Sequence, residues 1–356
     1  MTESHPLRRE IFSMISAKNL ILCLALPLLL VGCRENPEDL FTKGKQALAC
    51  GNLPDAVTYL KRAVKASPNA LDAMKLLGGT YYRLGEMDQS AELFDEVLTI
   101  APNDLTALEA RGRIAGNLGH WRDANTFFTR AVTAASDPQD ISRIQTAWGM
   151  ADDLRGDTML AAARLLFAIR ANATNEVALY NLAVLFKEKL NLPRESAELF
   201  NLYLRTDGSA VREAPAQKAL DSLKTLIQKS DSTRTRLIAE TKPQAEKAIR
   251  ERQPRKAAEL YRILVSLGLD EKSTLEAAKQ AYQTKNYDIA CHLLLPLCYH
   301  SPRNLVALDL MTRACYACKH YPEARLYGQR CLALIPEAKK AKYDAWLQTV
   351  PMARND

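Results

Sequence analysis

The side chains best equipped for chemistry are the cysteines. The chain has eight, and five gather late: Cys291, Cys298, Cys315, Cys318 and Cys331. Cys315-Tyr316-Ala317-Cys318 is a CxxC, with His320 just beyond it. Thiolates and an imidazole together suit zinc, and Cys291 or Cys298 would complete a set of four. The sequence offers no second CxxC and no spaced histidine pair to support that reading. The order Cys-x-x-Cys-x-His also differs from the Cys-x-x-Cys-His that attaches haem. A redox role needs a lowered thiol pKa, and a CxxC inside a helix lacks the helix N-terminus that supplies it. Two plainer readings compete: small buried hydrophobes, or one disulfide among the five in an oxidising compartment. Spacing does not give connectivity.

Other catalytic chemistry finds little footing. The five histidines fall in no nucleophile or metal motif, and GxSxG, HExxH and phosphate-cradling glycine loops are absent. Asp152 and Asp153 are adjacent carboxylates, but neighbours on a helix do not face one another, and the pair reads as a solvated edge. The expectation is a non-enzyme without a cofactor. Net charge is +7, yet 48 Lys and Arg are interspersed with 41 Asp and Glu rather than clustered, so nucleic acid is not an expected partner.

The elements that carry these residues are written as a repeat. Gly44, Gly78 and Gly112 recur at a spacing of 34 residues, as do Gly51, Gly85 and Gly119, and Leu60, Phe94 and Phe128. Pro68 and Pro102 close the first two copies, and Pro302 and Pro336 close two late ones. Each copy reads as two helices with a break between, and a fixed period of this length marks stacked supersecondary units. Small residues such as Ala56, Ala63, Ala124 and Ala131 fall where antiparallel helices would touch. One pair cannot bury its apolar face alone, so stability is shared between neighbours.

Met74, Leu77, Gly78, Tyr81, Ser90, Phe94, Val97 and Pro102 resemble the pattern of the tetratricopeptide repeat family, with Ser90 in place of the usual alanine. The resemblance implies an all-α fold, an α-solenoid of helix-turn-helix repeats in a right-handed superhelix. About five repeats fill residues 34–210, and about three weaker ones residues 237–338. Residues 211–236 read as an irregular helix with a hinge at Ser230–Thr233, and 339–356 as a capping helix and tail. In this family the first helix of each pair lines an inner groove. The matching positions are Phe41, Lys45, Tyr82, Arg83, Arg113, Asp153, Tyr180, Lys187, Lys279, Tyr282, Arg313 and Tyr316. Aromatic and basic groups together suit an extended peptide with acidic side chains. The lysine and asparagine clamp of chaperone-binding members is not reproduced, because Phe41 stands where its first lysine would be.

Residues 1–33 read as a targeting segment. Arg8, Arg9 and Lys18 precede an apolar run from Leu20 to Val31 that is too short to span a bilayer. Leu30-Val31-Gly32-Cys33 resembles the lipobox of bacterial lipoproteins. That resemblance implies cleavage before Cys33 and acylation of its thiol, palmitate included. Several acyl chains on one residue would make attachment effectively permanent, since each buried methylene contributes about 0.8 kcal/mol. Arg34, rather than aspartate, follows the anchor and leans toward the outer membrane, facing the periplasm. Together the two resemblances imply a membrane-anchored envelope adaptor that binds protein or peptide partners. Lipoproteins of this kind act in outer-membrane barrel assembly, pilus assembly and cell-wall synthesis. The alternative makes the late cysteine-rich repeats a metal-binding or redox module.

Overall fold

A computed structural model describes residues 36–206, 210–251, 253–268 and 270–352. The expected signal segment, with Cys23 and Cys33, lies outside these residues, as do Arg34 and the end of the tail. Among the described residues there are seventeen α-helices and no strand. None is long and apolar enough to cross a membrane. The all-α solenoid of paired helices expected from the repeat is borne out.

The chain packs as two compact units that divide between Pro102 and Asn103. The first contains α1 (Pro37–Ala49), α2 (Leu53–Ala66), α3 (Leu71–Leu84) and α4 (Met87–Ile100). Local chemistry sets the helix ends. Asn36 and Asn52 accept hydrogen bonds from the free amides of Glu38 and Asp55. Gly85 closes α3 at φ 83°, where a residue with a Cβ is strained. The repeated glycines permit close approach: a Cβ on Gly44 would fall 2.7 Å from Leu60, and one on Gly78 2.9 Å from Phe94. Ser90, the departure from the family pattern, donates from Oγ to Gly78 O of the facing helix at 2.8 Å. Its small hydroxyl thus fits the close contact and is satisfied there.

The second unit begins with α5 (Leu105–Asn117), α6 (Trp121–Ala134), α7 (Pro138–Arg155), α8 (Thr158–Ala171), α9 (Glu176–Glu188) and α10 (Pro193–Arg205). Next comes α11 (Ala210–Arg250), of 41 residues, roughly 60 Å of continuous helix. The break expected at Ser230–Thr233 is therefore helical backbone. Tertiary contacts hold it: Arg194 pairs with Asp231, and Arg234 donates to Gly268 O at 2.7 Å. Ala216, Leu220 and Leu223 are buried where α11 runs along α10, and Ala245 and Ala248 where it pairs with α12 (Pro254–Ser266). The pairs α13 (Glu271–Gln283) with α14 (Tyr287–His300) and α15 (Leu305–Ala317) with α16 (Tyr321–Leu332) follow, then α17 (Glu337–Gln348). Leu347 and Val350 seal α17 onto the last pair, whose Arg325 donates to both their carbonyls.

Within this unit the late pairs return onto the early ones. Helix α16 packs against α8. Arg170 on α8 donates to Pro302 O at 3.2 Å. The rings of Phe186 on α9 and Tyr299 on α14 meet edge to face at 5.7 Å. His300 lies 3.4 Å from Glu195 and 3.7 Å from Glu198, both on α10. The Glu195 hydrogen bond raises the His300 pKa against the opposing effect of burial. A single apolar core runs from Leu160 to Val350 as a result.

Candidate functional site

The positions expected to line a groove lie on the first helices of their pairs. In the first unit, Lys45 Nζ stands 4.9 Å over the Phe41 ring. Tyr82 is half-buried and Arg83 exposed at the end of α3. In the second unit, Arg113 lies 3.7 Å from Glu109, a buried carboxylate that also pairs with Arg143. Asp153 accepts from Lys189 at 2.5 Å, and Lys187 pairs with Glu188 at 2.6 Å. Lys279 and Arg313 pair with Glu276 and Asp309 of their own helices at 2.7 and 2.9 Å. These cations are thus partly neutralised in place, and exposed helix pairs of this kind add only about 0.3–0.5 kcal/mol each.

The aromatic members divide. Tyr180 is drawn into packing, edge-on to Phe200 and Tyr203, with the Arg212 guanidinium 5.1 Å above it. Tyr282 meets Tyr287, while Tyr316, 41 % exposed, meets Tyr321 and Trp346. Sequence reasoning missed an apolar hollow of about 220 Å³ between α7 and α9. Met150 and Leu154 stand at its edge, 41 % and 60 % exposed, with Asp153, Glu188 and Lys189 around it. The pattern did hold the signal: two large apolar residues on a first helix at positions where the repeat does not require them.

Behind α7 sits a second feature the sequence did not reveal. Arg164 on α8 is 4 % exposed and donates to Asp152 at 2.5 Å. Its guanidinium stacks 3.2 Å over the Trp148 ring, whose indole N–H donates to Asn125. Burial raises the Asp152 carboxyl to about 6, against the pull of Arg164. Burial likewise lowers the Arg164 pKa. Asp152 is therefore an enclosed ion-pair carboxylate and not part of a solvated edge, and only the adjacent Asp153 is partly exposed.

The late cysteines are free thiols here. Cys291 and Cys315, on α14 and α15, approach to 3.6 Å between sulfurs. Cys318 donates to Asp288 Oδ1 at 3.1 Å. Cys331 lies 3.8 Å from Thr312 Oγ1. Cys298 is fully enclosed beside Arg330, and burial pushes its thiol up to about 12. Cys291, Cys315 and Cys331 are likewise held above the ordinary thiol range. Cys298 and Cys331 therefore behave as small core residues, whereas Cys291, Cys315 and Cys318 come together. The proposed set of Cys315, Cys318 and His320 is only partly assembled: Cys318 and His320 converge on Asp288 instead. Asp288 was invisible as a partner because it lies 30 residues before Cys318 in sequence.

Known repeat proteins are similar to parts of this chain. Residues 41–104 match the tetratricopeptide repeat family. No curated protein matches the chain. A thermophilic tetratricopeptide-repeat protein of Thermus thermophilus is similar at 19 % identity, covering 52 % of this chain and 99 % of its own, with a TM-score of 0.46. The pilF protein of Pseudomonas aeruginosa is similar at 14 % identity over 78 % of this chain and 97 % of its own, with a TM-score of 0.42. PilW, a type IV pilus biogenesis factor, is similar at 17 % identity over 58 % and 94 %, with a TM-score of 0.45. These likenesses concern the repeat fold and nothing further.

Proposed function

We propose that this tetratricopeptide-repeat chain is a non-catalytic adaptor that docks an extended segment of a protein partner on its first-helix faces. One observation carries the reading. In the second unit, the second helices α8 and α10 pack against α16 and α11 of the same chain, while the first-helix side keeps Met150 and Leu154 exposed around one apolar hollow. Single exposed leucines are ordinary, but two bordering one concavity mark a place to bind. The hollow takes an apolar side chain of the partner.

The same reading places the protein at a bacterial envelope membrane, held by acylated Cys33 and facing the periplasm from the outer membrane, where it assembles envelope complexes. The basic and apolar run before Leu30-Val31-Gly32-Cys33, with Arg34 beyond, supports it. The test is a photocrosslinker at Leu154 in the full chain, expressed in its own membranes. A discrete protein crosslink is expected, reduced about tenfold or more by Met150→Glu. Cys33→Ser should release the chain from the membrane fraction. A crosslinking pattern indifferent to Met150→Glu would refute the docking site, and membrane retention of Cys33→Ser would refute the anchor.

A further inference from the structure

The turns joining first to second helix in two adjacent late pairs bring three metal-ligating side chains together. Asp288 stands in the first turn of α14, Cys318 closes α15, and His320 caps α16. One ligand atom from each lies within 4.8 Å of the other two. Lys319, between Cys318 and His320, has φ 63°, and its left-handed backbone turns both neighbours toward Asp288. Cys318 and His320 are half-buried, and Asp288 is exposed on the rim.

We propose that Asp288, Cys318 and His320 form a zinc site that clips the α13–α14 pair to the α15–α16 pair. The donor set argues for the ion. Thiolate and imidazole disfavour magnesium and calcium, which take oxygen ligands, and suit zinc. Three protein donors leave the fourth tetrahedral position to water. Zinc bonds of about 2.0–2.3 Å place neighbouring donor atoms roughly 3.5 Å apart, so the side chains close by about an ångström on binding. The Cys318–Asp288 contact at 3.1 Å is already at that spacing. Binding breaks the Cys318 S–H bond, forms Zn–S, and sends the proton to solvent. The thiolate and the Asp288 carboxylate then balance the ion's two charges. Because binding releases that proton, zinc affinity falls as pH drops.

The plain alternative is a thiol–carboxylate hydrogen bond that binds nothing. Reduced full chain, stripped of metal with a chelator, distinguishes the two, with cobalt(II) and zinc(II) as probes. Stoichiometric cobalt should give a thiolate-to-metal charge-transfer band that zinc abolishes. The band should vanish in Cys318→Ser and survive in Cys50→Ser, whose thiol is exposed in the other unit. Asp288→Asn and His320→Gln should each weaken zinc about tenfold or more. Absence of the band, its survival in Cys318→Ser, or unchanged affinity in both Asp288→Asn and His320→Gln would overturn the proposal. If Cys318→Ser loses its helical circular dichroism, the exposed Asp288→Asn carries the test.

Discussion

Helices α4 and α8 occupy the same place in their repeats, yet α4 buries three residues and α8 eight. Helix α14 also buries eight. The eighth residue of each faces its own partner helix and is buried throughout: Leu60 of α2, Phe94 of α4, Leu165 of α8 and Leu294 of α14. The ninth separates them. It is exposed Lys61 and Asp95 in α2 and α4, and buried Leu166 and Leu295 in α8 and α14. A helix apolar on one stripe rests on one neighbour, and a helix apolar all round lies inside. The repeat period therefore fixes only one face of a second helix. The other face records what the chain does later.

A charge at the ninth position should break this comparison most sharply. Leu166→Asp and Leu295→Asp bury an unpaired carboxylate and should each cost about 4 kcal/mol or more. The converse, Asp95→Leu, should change stability by less than about 0.5 kcal/mol. Urea unfolding of the full chain, followed by circular dichroism, measures all three. Equal costs at Asp95 and Leu166 would mean that α8 has no covered second face.

A smaller effect sharpens the same contrast, because α8 encloses one charged group. Arg164→Met leaves the Asp152 carboxylate buried without its ion pair and should cost about 3–5 kcal/mol at neutral pH. The pH dependence fixes the cause. Burial raises the Asp152 pKa from 3.8 to about 6, so between these values the folded state holds a proton that the unfolded state has lost. Stability from this group therefore falls as pH rises through that window, and the penalty persists above it. Between neutrality and about pH 5 the parent should gain stability, Arg164→Met should gain more, and Asp152→Asn least. The difference between the parent and Asp152→Asn isolates this carboxylate from His300, whose raised pKa also stabilises at low pH. A parent and Asp152→Asn with parallel pH profiles would contradict the assignment.

Much of the fold was legible because it is local and periodic. The spacing of Gly44, Gly78 and Gly112 announced close helix contacts, and the backbone confirms them through Leu60, Phe94 and Phe128. The shared Ser90 and Ser196 mark the same hydroxyl-to-carbonyl bond, to Gly78 and Ala183. What stayed hidden is long-range. Ser230-Asp231-Ser232-Thr233 has the composition of a loop, but Arg194, distant in sequence, pairs with Asp231 in a helix. The run from Thr158 to Ala171 has only Arg164 and Arg170 charged, a composition that suits a covered helix without naming the element that covers it. For the candidate sites, Cys318 and His320 were readable as ligands. Asp288 was not, because only the stacking of two repeats brings it near.

The turns carry the contrast into the backbone and give the smallest effect. Two residues before seven of the second helices, among the described residues, the chain takes positive φ: Gly51, Gly85, Gly119 and Gly156 early, then Asn191, Lys285 and Lys319. A left-handed residue with a Cβ costs about 1–2 kcal/mol, while glycine gives back about 0.5–1 kcal/mol in unfolded-chain freedom. Lys285→Gly should therefore stabilise the chain by about 0.5 kcal/mol, and Gly85→Lys should destabilise it by a similar or larger amount. Lys285 is the cleaner test than Lys319, which sits between two proposed zinc ligands. The difference is readable as a shift in the urea midpoint at constant slope. A gain at Lys285 would show that the late turns keep the early geometry at a backbone cost. Loss of stability would show that the lysine side chain offsets its own strain, so that the late turns are built on different contacts from the early ones.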